Sequence, residues 1–418
     1  MCYVIFVQPA VLSAAGMDFG AVMAATCVSA AFGSIFMGLL ANLPIAQAPG
    51  MGQNFFFAFT VCGATAVGGY GMSWREGLAA VFLSGVLFLA FSLAGMRDKF
   101  LRLMPETIKL AIASGIGLLI ALIGFEWGGV VVASPGTLLK LGPIAKGPVL
   151  MVMTGVAVTA LLTARSVRGA VLLGIGFCAV WGLAAGYASW HGIVSLPPSI
   201  GPAFLKLDVL GAFKSRFIFT AVLTFFVLVL FDSIGTITAL AHQAGLVKDG
   251  QIPKGRQALV ADATATIFGA LSGTSTVTSY VESSAGVGAG GRTGLSAVVT
   301  GLLFLLALFA YPLVQMVGGG YEIEPGRRLY PVIAPALITV GSLLTPLAAG
   351  VEWKKPEEAT PAFLTMVVMP FTFSITEGIS AGLISYSVLH AGIGGGPKTH
   401  PVVHLLAFLF VLRYIFLF

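Results

Sequence analysis

The chain has 418 residues, of which 57% are hydrophobic and only 9% charged. Soluble domains carry about 25% charged residues, so this composition excludes a cytosolic enzyme and a disordered scaffold. The net charge of +6 fits Lys and Arg held in the cytoplasmic loops of a membrane protein better than a nucleic-acid surface.

At ~20 residues per span, the chain can cross a bilayer about fourteen times. Apolar runs are read at 2–16, 19–41, 76–95, 106–124, 149–163, 169–189, 217–241, 257–272, 295–317 and 331–349. The run at 361–391 is split near Glu377 and Gly378 and predicts two short helices, with Glu377 capping the second. A last apolar stretch covers 402–418. The first run is short and starts at the initiator Met, so a natural N-terminus further upstream is expected. The four cysteines form no CxxC pair, and reduced buried thiols are expected.

An N-terminus on the inside assigns Arg97, Lys99, Arg102, Arg165, Arg168, Lys248, Lys254, Arg256, Arg292, Lys354 and Lys355 to cytoplasmic loops, a modest excess. The connection at 190–216 is the longest loop, has room for a surface helix, and divides the chain into halves. The halves resemble one another. Arg75-Glu76-Gly77-Leu78 has a counterpart in Arg292-Thr293-Gly294-Leu295, and Pro105, Ile112, Gly115 and Leu118 match Pro331, Ile338, Gly341 and Leu344 in spacing. With seven spans in each half, the second half inserts upside down, the inverted-repeat plan of transporters.

Two segments at membrane depth, 44–67 and 274–290, are badly interrupted. Pro44, Pro49, Gly50 and Gly52 forbid a continuous helix in the first, with Asn54 opening a half-helix. In the second, Gly273-Thr274-Ser275-Thr276-Val277-Thr278-Ser279 alternates hydroxyl and β-branched residues, which predicts a short strand before a half-helix. Irregular backbone at this depth persists only where protein or a wet cavity lines it. Broken spans at matching places in two repeats are a pointer to a binding site.

Of the 16 acidic residues, Asp232, Asp262, Glu282 and Glu377 stand away from loops and span ends. An intramembrane carboxylate costs about 2.5–3.5 kcal/mol on insertion scales, so each needs a partner or a function. For Asp262, a helix-packing hydrogen bond and transport chemistry are equal readings. Asp232 has no basic neighbour in sequence, and Glu282 falls in the first turn of the second broken helix, where the dipole favours a carboxylate. Asn54 is either an N-cap or a donor–acceptor pair for a planar ligand. Phe55 is either a core contact or a stacking face. Gly286-Val287-Gly288-Ala289-Gly290-Gly291 has GxGxxG spacing but ends a membrane helix, which removes the dinucleotide reading. The five histidines form no HExxH, and no metal site is expected.

APGMGQNFFF, LFDSIGT, GTSTVTSYVESSAGVGAGGRTGLSAVVTG and PAFLTMVVMPFTFSITEGI together resemble the AzgA-type purine permeases of the nucleobase–ascorbate transporter superfamily. The resemblance covers nearly the whole chain. It implies an all-α polytopic membrane protein of fourteen segments in two inverted repeats of seven, with short strands and half-helices in segments 3 and 10. It further implies a core domain (1–104 and 217–320, segments 1–4 and 8–11), a gate domain (105–190 and 321–418) and the connecting loop 191–216. The implied activity is proton-coupled import of hypoxanthine, guanine or adenine by alternating access, often by a homodimer, with protons as the coupling ion and no other cofactor.

Carried over by motif, the resemblance implies that Asp232 and Glu282 couple protons. Glu282, Asn54, Tyr280, Thr276 and Phe55 would line the substrate site, with Asp262 and Thr236 supporting. Phe55 stands where a smaller residue is common in the purine branch. The alternatives are a symporter of another nucleobase such as uracil or xanthine, an anion transporter on the same architecture, and an intramembrane enzyme. The anion reading requires a basic group where this chain has Glu282, and the enzyme reading requires a nucleophile–base or metal constellation that the sequence lacks.

Overall fold

Glycine in the left-handed region closes several of the long helices: Gly95, Gly129 and Gly245, at φ 67, 70 and 68, lie two residues past Leu93, Trp127 and Gln243. In the computed structural model, which describes residues 1, 3–95, 105–134, 136–167, 169–247, 252–324, 327–393 and 400–417, six helices are long and apolar enough to cross a membrane. They are Phe19–Leu40, Trp74–Leu93, Glu106–Trp127, Gly147–Ala164, Ile218–Gln243 and Leu295–Gly318. Shorter apolar helices include Val4–Ser13 and Ala170–Ala184. Cys2, Arg97, Lys99, Arg102, Arg168 and Lys248, like the boundary at 104, lie outside the described residues. Cys27, Cys62 and Cys178 are free thiols.

The chain divides into two units. One comprises Met1–Asp98 and Gly192–Gln315, the other Lys99–His191 and Met316–Phe418. In the first, the Phe19–Leu40 and Leu295–Ala307 helices pack closely. A Cβ on Gly294 would sit 2.0 Å from the Gly38 carbonyl oxygen, so glycine is what lets these backbones touch. In the second, Gly341 approaches Gly117 in the same way, with a Cβ 2.4 Å from its carbonyl oxygen.

Both interrupted segments contain a strand and a short helix. Gln47–Pro49 precedes the helix Met51–Phe55, which loosens into a π-turn over Phe56–Val61. Val277–Ser279 precedes the helix Ser283–Gly288. The two strands pair antiparallel, Gln47 with Ser279, Ala48 with Thr278 and Pro49 with Val277.

Several expectations are corrected. Asn54 does not open its helix: Gly50 is the N-cap and Asn54 lies inside Met51–Phe55. Glu282 precedes its helix as the N-cap residue, and its side chain caps nothing. The late split falls at Phe373–Ser374, between helices of 17 and 18 residues, Pro356–Thr372 and Ile375–Gly392. The chain turns there with Phe373 at φ 51, after Pro370 has weakened the preceding turn. Ser374, not Glu377, caps the second helix, accepting from the Glu377 N–H at 3.4 Å. Glu377 instead takes Arg413 as a partner at 2.7 Å, with the Tyr414 hydroxyl also donating to it. That partner lies on Pro401–Leu417, beyond the reach of any local pattern. Two small hairpins, Val131–Ser134 with Leu138–Leu141 and Tyr321–Glu324 with Arg327–Leu329, were not expected. Within the long connection, only Val209–Ala212 is helical.

Candidate functional site

A two-stranded pair inside an apolar protein exposes backbone groups on both outer edges, and each must find a partner. Here side chains supply them. Ser34 Oγ accepts from the Gln47 N–H at 2.9 Å and donates to the Gln47 carbonyl at 3.1 Å. On the other strand, Thr266 Oγ1 donates to the Val277 carbonyl at 2.7 Å. Just outside the pair, the Ala46 N–H donates to Ser283 Oγ at 3.0 Å. The Tyr280 hydroxyl reaches back to the Pro49 carbonyl at 2.5 Å.

Asp262 completes this clamp. It is fully buried on the Gly255–Ser272 helix, and its Oδ1 accepts from Gln47 Nε2 at 2.7 Å and Ser279 Oγ at 3.3 Å. Gln47 and Ser279 are register partners, so one carboxyl ties both strands to one helix. That geometry matches the packing alternative for Asp262.

Asp232 and Glu282 lie on the accessible side. Asp232 is exposed although it sits well inside the 26-residue Ile218–Gln243 helix. Gln53 Nε2 donates to its Oδ2 at 3.1 Å and Thr278 Oγ1 at 3.4 Å. Glu282 is half-buried and accepts from the Tyr3 hydroxyl at 2.7 Å; it lies four residues after Thr278, a donor to Asp232, in a segment packed on the helix that carries Asp232. Two carboxylates thus share one neighbourhood with hydroxyl and amide donors, and among the described residues no cation hydrogen-bonds either of them. Such a pair suits a ligand presenting N–H donors on one edge, together with a proton.

Asn54 and Thr276 stand behind this face, fully buried. Ser275 Oγ donates to Asn54 Oδ1, while Asn54 Nδ2 and Thr276 Oγ1 have no hydrogen-bond partner among the described residues. Phe55 is buried and stacks on Phe59 at 6.0 Å between ring centroids. Thr236 is buried one turn along from Asp232. The structure therefore brings Asp232, Glu282, Asn54 and Thr276 around the strand pair, gives Asp262 and Tyr280 to its clamp, and keeps Phe55 in an aromatic stack.

Sequence reasoning missed Tyr3, Gln8, Gln53 and Thr278. Gln8 is the lone polar residue between Val4 and Leu12, and its Nε2 donates to Thr274 Oγ1 at 2.9 Å and Ser275 Oγ at 3.1 Å. A solitary amide in an apolar run was a readable signal. Nothing local marked Tyr3, whose partner is 279 residues away.

The model of the Permease family (Xan_ur_permease) matches residues 1–380. The adenine permease AdeP of Escherichia coli (strain K12) is 42% identical over 418 residues, spanning 100% of this chain and 90% of that protein. The guanine/hypoxanthine permease PbuG of Bacillus subtilis (strain 168) is 42% identical over 431 residues, spanning 100% and 94%. Among solved structures, the transmembrane domain of the cyanobacterial bicarbonate transporter BicA matches with a TM-score of 0.63 at 15% identity, covering 94% of each chain. That likeness concerns the fold alone.

Proposed function

The chain belongs to the Permease family, and from that premise we propose that it imports purine nucleobases, hypoxanthine, guanine or adenine, by proton-coupled alternating access. It is a multi-pass protein of the cell membrane and a transporter, not an enzyme. Relatives named for adenine and for guanine/hypoxanthine support the substrate class. The observation that carries the reading is the strand pair, with Asp232 bonded to its Thr278 and Glu282 three residues past its end.

A purine offers adjacent N–H donors and ring acceptors on one flat edge. Glu282, held by Tyr3, accepts the N–H donors as a carboxylate, and the unused Asn54 Nδ2 meets the acceptor edge. Asp232 carries the proton. Protonation removes one of two neighbouring negative charges, and the Gln53 and Thr278 groups that donate to the carboxylate must then rearrange. Phe55, Tyr280 and Thr276 shape the pocket from behind, and Thr236 and Asp262 support it.

The division into two units supports the assignment of the first as core and the second as gate. The matched broken segments support fourteen segments in two inverted repeats of seven. The assembly in this reading is a homodimer, and protons are the coupling ion with no further cofactor. Glu282, where an anion carrier needs a positive group, argues against anion transport. Uptake of labelled hypoxanthine and labelled uracil into proteoliposomes, with and without an inward-directed proton gradient, tests the proposal. Gradient-driven accumulation of hypoxanthine over uracil is expected, and uracil accumulation or indifference to the gradient overturns it.

A further inference from the structure

Buried polar atoms without partners are scarce in folded proteins. Two of them, Gln8 Oε1 and Asn54 Nδ2, have no partner among the described residues and belong to fully buried side chains joined through Ser275. Gln8 and Asn54 are the two ends of one hydrogen-bond chain. Gln8 Nε2 donates to Ser275 Oγ, and Ser275, with its single proton, donates to Asn54 Oδ1. Gln8 Nε2 is also anchored on Thr274 Oγ1 at 2.9 Å.

The direction of that chain decides what Asn54 shows. With Ser275 donating toward it, the Asn54 carbonyl is consumed and its Nδ2 donors are left over. If both amides turned, Asn54 would donate to Ser275, Ser275 to Gln8 Oε1, and the Asn54 carbonyl would be the group left over. Intermediate arrangements leave Ser275 with two donors facing it or none. The chain is thus a two-orientation device, and a purine reads the difference: a 6-oxo group accepts where a 6-amino group donates.

We infer that Gln8, acting through Ser275, fixes the amide orientation of Asn54 and so makes the site select 6-oxopurines over 6-aminopurines. Gln8 and Ser275 are positioning residues that need not touch the base. The inference rests on the proposed contact between Asn54 and the purine.

Calorimetric titration of the purified full chain with hypoxanthine and with adenine reads the selectivity directly. The native protein binds hypoxanthine tighter, by about tenfold or more, because the wrong base leaves a buried donor unmet. In Ser275→Ala the middle link is gone and Asn54 is free to turn, so the ratio of the two dissociation constants falls toward unity. Gln8→Met, which keeps the volume but not the amide, does the same. Should Gln8→Met fail to accumulate, Ser275→Ala alone reads the same ratio.

Parallel weakening of both bases with an unchanged ratio shows a merely structural role and overturns the inference. So does a native protein that prefers adenine. Asn54→Ala separates the premise: unchanged affinity for both bases there removes the Asn54 contact itself, whereas weakened affinity beside unaltered ratios in Ser275→Ala and Gln8→Met removes the relay alone.

Discussion

Ser34 is the residue on which the strand pair's outer edge depends. In a helix, a serine hydroxyl ordinarily bonds a carbonyl one turn back, as Ser29 does to Ala25 at 2.6 Å. Ser34 instead spans 13 residues to satisfy both backbone groups of Gln47. Ser34→Ala leaves a fully buried N–H and C=O unmet. At about 1–3 kcal/mol for each unsatisfied group, the loss is roughly 2–6 kcal/mol, with the lower part reached if a water enters the space of the lost hydroxyl. Ser29→Ala is the internal control: Ser29 is equally buried, but its hydroxyl adds only a second bond to a helical carbonyl, so the loss is within ~1 kcal/mol. Thermal unfolding in detergent, followed by intrinsic fluorescence, is expected to show a midpoint lower by about 2–7 °C for Ser34→Ala and little change for Ser29→Ala. Hypoxanthine affinity should fall only in the Ser34 variant. Equal midpoints for the two variants refute the reasoning that the strand edge depends on this hydroxyl.

Asp232→Asn keeps hydrogen-bonding capacity toward Gln53 and Thr278 but cannot cycle a proton, so equilibrium binding of hypoxanthine should persist while gradient-driven accumulation in proteoliposomes disappears; full accumulation would remove Asp232 from the coupling role. Gly294→Ala drives a Cβ to 2.0 Å from the Gly38 carbonyl oxygen and should destabilise by at least ~1–3 kcal/mol, whereas Gly286→Ala meets no atom within 4 Å and should unfold like the native protein; comparing the two midpoints checks this. Arg413→Ala strands the largely buried Glu377 carboxylate, at a cost of about 3–5 kcal/mol. The combined Glu377→Gln and Arg413→Met variant should recover much of that loss, and a double-mutant cycle with no coupling energy would contradict the pairing.

Much of the architecture was legible because its causes are local. Pro44, Pro49, Gly50 and Gly52 crowd too closely to allow a continuous helix, and a carboxylate in lipid is conspicuous in any sequence, so the interrupted segments and the acids declared themselves. Partnerships did not. That Gln47 would lie opposite Ser279, or that Asp262 would hold Gln47 as well as Ser279, depends on bringing Gln47 to partners more than 200 residues away, for which an isolated sequence carries no register. Glu377 illustrates the resulting error: a carboxylate at a break between two helices reads as a helix cap until an arginine 36 residues later is placed against it. Asn54 was misread for a smaller reason, since Gly50 can start a helix with no side chain to announce it.

The Val4–Ser13 helix has a consequence for biogenesis. Tyr3 hydrogen-bonds Glu282, and Gln8 hydrogen-bonds Thr274 and Ser275. At about 5–20 residues per second, ribosomal synthesis delivers those partners on the order of tens of seconds after this helix. Throughout that interval its glutamine lacks those hydroxyl partners, so a helix made early is seated late.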